Sequence, residues 1–458
     1  FMQFINRQDE LKFLEEQYKK NNSNFVVIYG RRRTGKTSLI REFINNKPNI
    51  YFLSDIQTET EQLLDFQNTA ADFFDQDELL KNKAFKTWDT FFRYLTDKIK
   101  KEDKKIVIVI DEYTYLHQSN KAISSILQKY WDKEWQNSGK IFLILCGSLV
   151  GMMAKLTLYH SAPLYGRNTG QIKLRPFNFK QFCYFFPKIS LEKQIEFYSI
   201  LGGTPRYILE FNGSKTVWQN ISEKFLHPES ILYQDPISVL SQEVATTGTY
   251  FSLLKTIAFG EHKISKIGAK LEMKATQLNP YLEKLIDLDL IEKRVPITEK
   301  PHKSKMGLYF LKDNFFKFWF KYIFTNRSFI EKGNQETVLK QIKKEFSQFV
   351  SSVFEDIIRE SALNFQQVGS WWSKNEEIDI IGLNPEKDEI LFGEVKWQNR
   401  LVGLKELQEL QRKSRLVQWG GKTRKESFLL ASKSGFEKSL RQIAEKEKVI
   451  LIDLKNFN

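Results

Sequence analysis

Two glycines, a lysine and a threonine stand at fixed spacing in residues 30–37, which read GRRRTGKT. In a loop of this pattern, backbone N–H groups surround phosphate oxygens, the lysine reaches the β- and γ-phosphates, and the threonine hydroxyl binds Mg²⁺. Because the phosphates contact main chain, the arginine side chains need not touch the nucleotide. The spacing predicts a site for ATP and Mg²⁺ with these residues: Gly30, Arg31, Arg32, Arg33, Thr34, Gly35, Lys36, Thr37 and Ser38.

Polar residues follow two later apolar runs. Asp111 and Glu112 end IVIVIDE, where Asp111 would help to hold Mg²⁺ and Glu112 would polarise the attacking water. The alternative is that Asp111 caps a helix and Glu112 occupies its first turn. Ser148 follows LILCG and could sense the γ-phosphate, although a serine after a glycine is also an ordinary helix cap.

A second set of charged residues lies near the C-terminus, in EEIDII and FGEVKW. Glu394 and Lys396 are two residues apart, so on a strand they share a face. If the two segments form an antiparallel hairpin, Asp379 and Glu394 can bind one Mg²⁺ or Mn²⁺ ion. Lys396 would orient or deprotonate water for attack on a phosphodiester. The alternative is ordinary charge pairing on a solvated sheet face.

Alternating strands and helices must position the first set of residues. The continuous apolar runs at 25–30, 106–111 and 141–147 predict buried strands, and the amphipathic stretches between them predict crossover helices. This pattern indicates an α/β fold with a parallel sheet. Residues 178–245 are helical and rich in aromatic side chains, with GGTP at 202–205.

The middle of the chain predicts three short helices, at 250–258, 264–271 and 275–291, followed by two strands with a basic loop over 293–311. This is the outline of a winged helix, with Pro280 tolerated only near the start of the third helix. We expect DNA contact, although such modules also dock proteins. The candidate contacts to phosphates or base edges are Lys270, Lys274, Gln277, Asn279, Lys293, Arg294, Lys303 and Lys305.

Six segments together resemble the AAA+-type archaeal ATPase family of the STAND/MNS group. They are FINRQDEL (4–11), the phosphate loop, VIDEY, ILCGS, PLYGR (163–167) and GGTPRY (202–207). The resemblance implies that Arg7 lies near the adenine and that Arg167 approaches the γ-phosphate, often from a neighbouring protomer of a homo-oligomer. Arg206 is a weaker candidate for a lid sensor. Arg167 could equally be a surface arginine.

The C-terminal segments resemble the PD-(D/E)XK nuclease superfamily, and more narrowly the domain of unknown function that accompanies archaeal-type ATPases. The resemblance rests on a helix with Glu355, then Asp379, then Glu394 and Lys396. It implies that Asp379 and Glu394 bind the metal and that Lys396 activates water. Basic residues that follow could track a phosphate backbone: Arg400, Lys405, Arg412, Lys413, Arg415, Lys422, Arg424 and Lys425. The alternative is the polar face of an amphipathic helix.

Composition sets the remaining expectations. The 458 residues carry a formal charge of +14 with a pI near 9.3, which favours a nucleic-acid partner, although a generally lysine-rich surface would give the same charge. Only Cys146 and Cys183 are present, so no disulfide framework is expected. The sequence contains no apolar run of about 18 residues, so no membrane span is predicted. No signal segment is evident either, and we expect a cytoplasmic protein.

These features together predict the following domains: a P-loop ATPase core at 1–177, a helical lid at 178–245, a winged helix at 246–325, a linker or connecting helix at 326–345, and an α/β restriction-endonuclease-like domain at 346–458. The expected function is ATP hydrolysis coupled to DNA engagement and metal-dependent cleavage. The main alternative is a STAND-like regulatory switch whose last domain only docks partners. A DNA-binding transcription factor without cleavage is a third possibility.

Overall fold

The computed structural model describes residues 5–75, 77–244, 247–301, 303–361, 364–421 and 423–457, without the side chain of Ser361. The chain divides into two compact units, residues 1–176 and 177–458. This division lies one residue from the predicted end of the ATPase core. The predicted boundary at 245/246 falls outside the described residues.

The first unit contains a five-stranded sheet in the order β2-β3-β4-β1-β5, and all of its strand pairs are parallel. The strands are β1 Asn24–Tyr29, β2 Asn49–Leu53, β3 Ile106–Asp111, β4 Ile141–Gly147 and β5 Gly170–Lys173. The predicted parallel sheet is confirmed. The sequence did not predict β2 or β5, because NIYFL is only partly buried and GQIK is largely polar.

Helices cover both faces of this sheet, with one apolar cluster on each face. They are α1 Gln8–Tyr18, α2 Lys36–Ile44, α3 Glu59–Phe73, α4 Glu78–Lys81, α5 Trp88–Lys100, α6 Tyr113–Ser119, α7 Ile123–Tyr130 and α8 Val150–Thr157, with a π-helical turn at Trp131–Trp135. Helix α5 shows why they form: its residues Phe91, Phe92, Leu95 and Ile99 recur at helical spacing and are all buried.

The second unit begins with helices. They are α9 Phe179–Cys183, α10 Leu191–Leu201, α11 Pro205–Ile208, α12 Val217–Phe225, α13 Ile231–Glu243, α14 Thr247–Ala258, α15 Ile264–Leu271 and α16 Ala275–Asp287. An antiparallel pair follows, β6 Ile291–Arg294 and β7 Leu308–Leu311. Pro280 is the sixth residue of α16, one turn further in than expected. The helix also ends four residues early, since Asp289 takes a left-handed conformation before β6.

A long helix leads into the C-terminal sheet. After α17 Asn314–Phe318, a π-helical turn at Trp319–Ile323, a 3-10 turn at Phe324–Asn326 and α18 Arg327–Glu331 comes α19 Gln335–Ser361. Helix α19 crosses the predicted boundary at 345/346, so the segment predicted as a linker or connecting helix is largely helical. The segment FFKFWFKYIF (315–324) belongs to the core, because Phe315, Trp319 and Tyr322 are fully buried.

The C-terminal sheet has the order β12-β11-β10-β9-β8. Its strands are β8 Gln367–Trp372, β9 Glu377–Asn384, β10 Glu389–Lys396, β11 Lys425–Ser432 and β12 Ile450–Asp453, with α20 Leu404–Ser414 and α21 Lys438–Glu447 in the two crossovers and a 3-10 turn at Pro385–Lys387. Strands β8–β10 are antiparallel and β10–β12 are parallel. The predicted antiparallel hairpin is confirmed as β9–β10, whereas β8 and β11 were not predicted as separate strands.

Candidate functional site

The phosphate loop lies between β1 and α2, and its glycines are required by the backbone. Gly35 has φ 91° at the start of α2, which a glycine adopts without strain. At Gly30, an added Cβ would lie 2.2 Å from the carbonyl oxygen of Leu174, so no larger residue fits there. These two constraints explain the fixed glycines of the motif and leave the loop N–H groups at the start of a helix.

Lys36, Thr37 and Asp111 lie together at this loop. The buried Lys36 donates its Nζ to the carbonyl oxygens of Gly30 at 2.8 Å and Arg31 at 3.0 Å. Thr37 Oγ1 donates to Asp111 Oδ2 at 3.0 Å, and the Tyr51 hydroxyl donates to the same oxygen at 2.5 Å. Burial and the Asp111 charge raise the pKa of Tyr51, which therefore remains a hydrogen-bond donor.

Glu112 and Ser148 form a second contact beside them. Glu112 Oε2 accepts from Ser148 Oγ at 2.8 Å and from Ser148 N at 3.2 Å. Asp111 closes β3, and Glu112, with φ 52°, precedes α6 without a side-chain bond to the helix backbone. The geometry of these residues therefore differs from the helix-cap alternative for Asp111 and Glu112.

The residues at this loop fit ATP and Mg²⁺. A threonine hydroxyl and a carboxylate supply the hard oxygen ligands that Mg²⁺ takes, and a lysine beside a helix N-terminus suits phosphate. Thr37 and Ser38 are exposed, so a ligand can reach the loop. Tyr51 was not predicted as part of this site. Tyr51 lies on β2 opposite Val109, and Val109 is two residues before Asp111 on β3. The Tyr51 hydroxyl therefore reaches Asp111 only because β2 pairs with β3.

The remaining predicted nucleotide residues contact protein groups. Arg7 donates to the carbonyl oxygens of Arg175 at 2.7 Å and Thr34 at 3.3 Å, so it contacts the loop backbone. Arg32 donates to the Tyr115 hydroxyl. Arg167 forms a bidentate ion pair with Asp132: Nε donates to Oδ1 and a terminal guanidinium nitrogen donates to Oδ2, each at 2.8 Å. This pair raises the pKa of Arg167.

The predicted C-terminal residues meet at the end of the β9–β10 ladder. The last backbone pair is Ile380 with Gly393, and continuing that register places Asp379 opposite Glu394. Instead of a backbone acceptor, the side-chain oxygen Oδ2 of Asp379 accepts from Val395 N at 2.8 Å. Asp379 is therefore bonded to the main chain between Glu394 and Lys396.

Two lysines hold Glu394, which is 9% exposed. Lys396 Nζ lies 2.6 Å from Oε1, as the i,i+2 spacing predicted, and Lys413 Nζ of α20 lies 3.5 Å from Oε2. Burial lowers the pKa of Lys396, but its pairing with Glu394 outweighs burial and the net pKa is raised. The Lys396 ammonium therefore stays charged at neutral pH, which favours orienting water over taking a proton from it.

The negative charge of Asp379 on β9 acts on Glu355 of α19. Burial raises the pKa of Glu355, and the negative charge of Asp379 raises it further. Burial, followed by the charge of Glu394, likewise raises the pKa of Asp379. Carboxyls that disfavour one another's charge in a buried setting would gain stability from a cation. Glu355 and Glu377 also line a cavity of about 120 Å³.

Asp379 and Glu394 supply two carboxylates that fit a hard divalent cation. Within the described ranges, no group of three or more His, Cys, Asp or Glu side chains is arranged to hold a metal ion. Mg²⁺ commonly takes one or two protein carboxylates and completes its shell with water and substrate. Two carboxylates satisfy that requirement, provided that the lysines leave Glu394 when the ion binds.

The predicted nucleic-acid contacts differ in whether their side chains form ion pairs with carboxylates. Lys270, Lys274, Gln277 and Asn279 are exposed on α15, α16 and the turn between them. In contrast, Arg294 pairs with Glu292 and Asp356. Most basic residues after the hairpin also pair with carboxylates, namely Arg400, Arg412, Lys413, Arg424 and Lys425. Lys422 lies outside the described residues.

Comparison with known proteins agrees with this architecture. Residues 4–211 match a family described as an ATPase domain predominantly from Archaea, and residues 319–413 match one described as archaeal and bacterial proteins of unknown function. An uncharacterized protein of Methanocaldococcus jannaschii is 36% identical over 426 residues, covering 90% of this chain and 92% of that protein. An uncharacterized ATP-binding protein of the same organism is 52% identical over 44 residues, covering 10% and 75%.

A solved structure shows the same fold. The Walker-type ATPase of Pyrococcus abyssi aligns with a TM-score of 0.54 at 20% identity, covering 69% of this chain and 96% of that one. The parallel sheet, the phosphate loop and these matches define an archaeal-type P-loop ATPase. The chain belongs to the same family as the 36% identical M. jannaschii protein. No helix in the described parts of the chain is long and apolar enough to cross a membrane.

Proposed function

We propose that this ATPase engages DNA and that its C-terminal unit contains a Mg²⁺-dependent centre that cleaves phosphodiesters. The observation that carries the proposal is the bond from Val395 N to Asp379, which fixes the Asp379 carboxylate on the main chain of the residue between Glu394 and Lys396. Two acids and an ammonium group from two neighbouring strands thereby share one end of the ladder. This is the chemistry that metal-assisted phosphodiester hydrolysis requires.

At the nucleotide site, each residue has a distinct role in the proposal. Lys36 binds the β- and γ-phosphates, and Thr37 and Asp111 hold Mg²⁺. Glu112 orients the attacking water, and Ser148 fixes the Glu112 carboxylate through its hydroxyl. Arg167 acts on ATP in a neighbouring protomer, which requires it to exchange Asp132 for the γ-phosphate and the protein to form a homo-oligomer.

At the C-terminal centre, water adds to phosphorus while the bond from phosphorus to the leaving sugar oxygen breaks. The attacking water releases one proton to solvent and the leaving oxygen takes up one from solvent, so the products are a phosphate monoester and a free hydroxyl. Asp379 and Glu394 would hold Mg²⁺, which when bound withdraws electron density from the phosphate. Lys396, once released from Glu394, orients the water and balances the charge that develops on phosphate oxygens. Glu355 contributes a further carboxylate near Asp379.

The exposed basic residues of α15 and α16 would hold DNA electrostatically. The net positive charge of the whole chain favours the same interaction. Lysines at the surface bind phosphate without regard to sequence, whereas Gln277 and Asn279 can reach base edges. The antiparallel pair β6–β7 following these helices is consistent with a winged helix.

Cleavage of DNA by the purified full chain tests the proposal. Wild-type protein with Mg²⁺ or Mn²⁺ should nick or degrade duplex, single-stranded or branched DNA. Asp379→Ala should lower the cleavage rate by about 10²-fold or more while ATP hydrolysis is unchanged. Glu426→Ala removes an exposed carboxylate from β11 of the same sheet and should cleave like wild type.

A second candidate function is supported by the lysines on Glu394. Both oxygens of this carboxylate are engaged by Lys396 and Lys413, which is a stable arrangement without any metal. In that case the C-terminal unit is a docking surface and ATP controls partner binding. Equal inactivity of wild type and Asp379→Ala on all three DNA forms would favour this switch over the nuclease.

A further inference from the structure

The loop between β6 and β7 is docked on the C-terminal sheet. Ile297 N donates to the carbonyl oxygen of Ser370 at 3.0 Å, and Trp372 Nε1 donates to the carbonyl oxygen of Met306 at 3.3 Å. The Ile297 side chain also covers Gly369, where an added Cβ would lie 3.2 Å away. Both ends of the loop are thus attached to β8, one end through main-chain groups and the other through the indole of Trp372.

The attachment point faces an irregularity in β9. Gly369 pairs with Ile381 and Trp371 pairs with Ile378, so two residues of β9, Asp379 and Ile380, lie opposite the single residue Ser370. Such a bulge interrupts the ladder and redirects the side chains of the bulged strand. Here it includes Asp379, whose side chain the proposed cleavage centre requires.

An arginine of α19 occupies this interruption. Arg359 donates one guanidinium nitrogen to the carbonyl oxygen of Asp379 at 2.9 Å and another to the carboxylate of Asp356. Buried backbone carbonyls need hydrogen-bond partners, and Arg359 supplies one to Asp379 where the ladder is interrupted. The main chain of Asp379 is therefore held from the helix side, while its carboxylate is held by Val395 N.

The ion pair of Arg359 with Asp356 is continued by an arginine of the β6–β7 pair. Arg294 on β6 donates to Asp356 at 3.1 Å and to Glu292 at 2.5 Å. Asp356 therefore accepts from one arginine on its own helix and one on the hairpin. A continuous path of bonds runs from β6 through α19 to the main chain of Asp379, and the hairpin loop meets the other strand at the same bulge.

We propose that Arg359 is a positioning residue of the C-terminal metal centre, held in place by Asp356 and by Arg294 of the hairpin. The inference rests on the proposed function. In this arrangement Arg359 sets where the Asp379 carboxylate lies relative to Glu394, without touching metal or DNA. The β6–β7 pair then supports the C-terminal metal centre and also follows α15 and α16, which carry the exposed basic residues.

Mn²⁺ affinity of the full-length protein, measured by calorimetry without nucleotide or DNA, tests this role. Arg359→Ala should weaken Mn²⁺ binding at the C-terminal centre by about 10–100-fold, the range found when groups that orient metal ligands are removed. Arg294→Ala should weaken it in the same direction. Arg294→Lys, which retains a cation opposite Asp356, should restore most of the affinity, a rescue that simple loss of packing would not give.

Arg441→Ala is the matched control. Arg441 also donates to a carboxylate, that of Asp453, and to a backbone carbonyl, that of Phe436, but it lies on α21. Its removal should leave Mn²⁺ affinity unchanged. If Arg359→Ala is poorly folded by circular dichroism, Arg294→Ala and Asp356→Asn probe the same path from its other members.

The outcomes separate the two proposals. Wild-type Mn²⁺ affinity in Arg359→Ala and Arg294→Ala overturns the positioning role and leaves the cleavage centre intact. Wild-type protein whose only Mn²⁺ binding is lost in Thr37→Ala and kept in Asp379→Ala has no C-terminal metal site, which overturns the proposed function and the positioning role with it. Weakened binding in both arginine variants and normal binding in Arg441→Ala supports both.

Discussion

The nucleotide site and the C-terminal centre differ in what builds them. In the first, backbone conformation forms the phosphate loop, and Gly30 and Gly35 are the residues that this backbone permits. In the second, the proposed functional groups are side chains from a helix and two strands, and a strand bulge and the ion pairs of Asp356 lie beside them. A site made of one loop is specified locally, whereas a site made of side chains depends on packing across the unit.

The two sites also differ in the charges that they hold without a ligand. At the loop, Lys36 is bonded to carbonyl oxygens, which a phosphate can replace as acceptors. At the C-terminal centre, Glu394 is neutralised by lysines while Asp379 and Glu355 repel one another's charge. The phosphate loop is arranged to bind an anion. At the C-terminal centre, a bound cation would reduce the repulsion between the carboxylates.

The largest expected effect comes from removing the lysine of the loop. Lys36→Ala should lower the rate of ATP hydrolysis by about 10²-fold or more, because the charge that stabilises the transferred phosphoryl group is lost. Phosphate release at steady state measures it. Lys47→Ala, which removes a lysine just beyond α2 that pairs with Glu15, should retain the wild-type rate. Near-normal hydrolysis in Lys36→Ala would mean that the loop is not the catalytic site.

A smaller effect is expected on stability at the acidic centre. Since the pKa of Asp379 and that of Glu355 are raised in the folded protein, the folded state binds more protons than the unfolded chain above about pH 4. Their contribution to the free energy of unfolding is therefore fully present below that pH and is lost as the pH rises through the raised pKa values. The charged groups that act on these two carboxyls include Asp356, Arg359, Glu377, Glu394 and Lys396.

Thermal unfolding in EDTA between about pH 5 and about pH 8 should show this loss, on the order of 1–2 kcal/mol. Asp379→Asn should flatten the pH dependence of the free energy of unfolding, because an amide does not titrate. In wild type without EDTA, Mg²⁺ should offset the loss of stability by binding the ionised carboxylates. Glu426→Gln, at an exposed position on β11, should follow the wild-type curve. A wild-type curve that rises over this interval would contradict the raised pKa values.

The sequence was sufficient for the loop and insufficient for the details of the acidic centre. The motif GRRRTGKT after an apolar strand predicted the loop, and the i,i+2 spacing predicted the contact between Glu394 and Lys396. It could not reveal Lys413 at Glu394, since that contact requires α20 to lie against β10. The sequence likewise could not show that Arg294, expected at DNA, is engaged by Asp356 from a distant helix.

The bulge in β9 has no counterpart in the sequence pattern. Alternation through EEIDIIG predicts a regular strand, and only pairing with β8 shows that Asp379 and Ile380 together face Ser370. Tyr51 was missed for a similar reason, because its hydroxyl reaches Asp111 only once β2 has paired with β3. Non-local pairing decided each of these positions.

Crystals of the full-length protein soaked with Mn²⁺ in the absence of nucleotide would test the cleavage centre most directly, through the anomalous scattering of the ion. We predict a peak at roughly 2.1 Å from carboxylate oxygens of Asp379 and Glu394, with Lys396 displaced from Glu394. No peak between these carboxylates, with Lys396 still 2.6 Å from Glu394, would contradict the account.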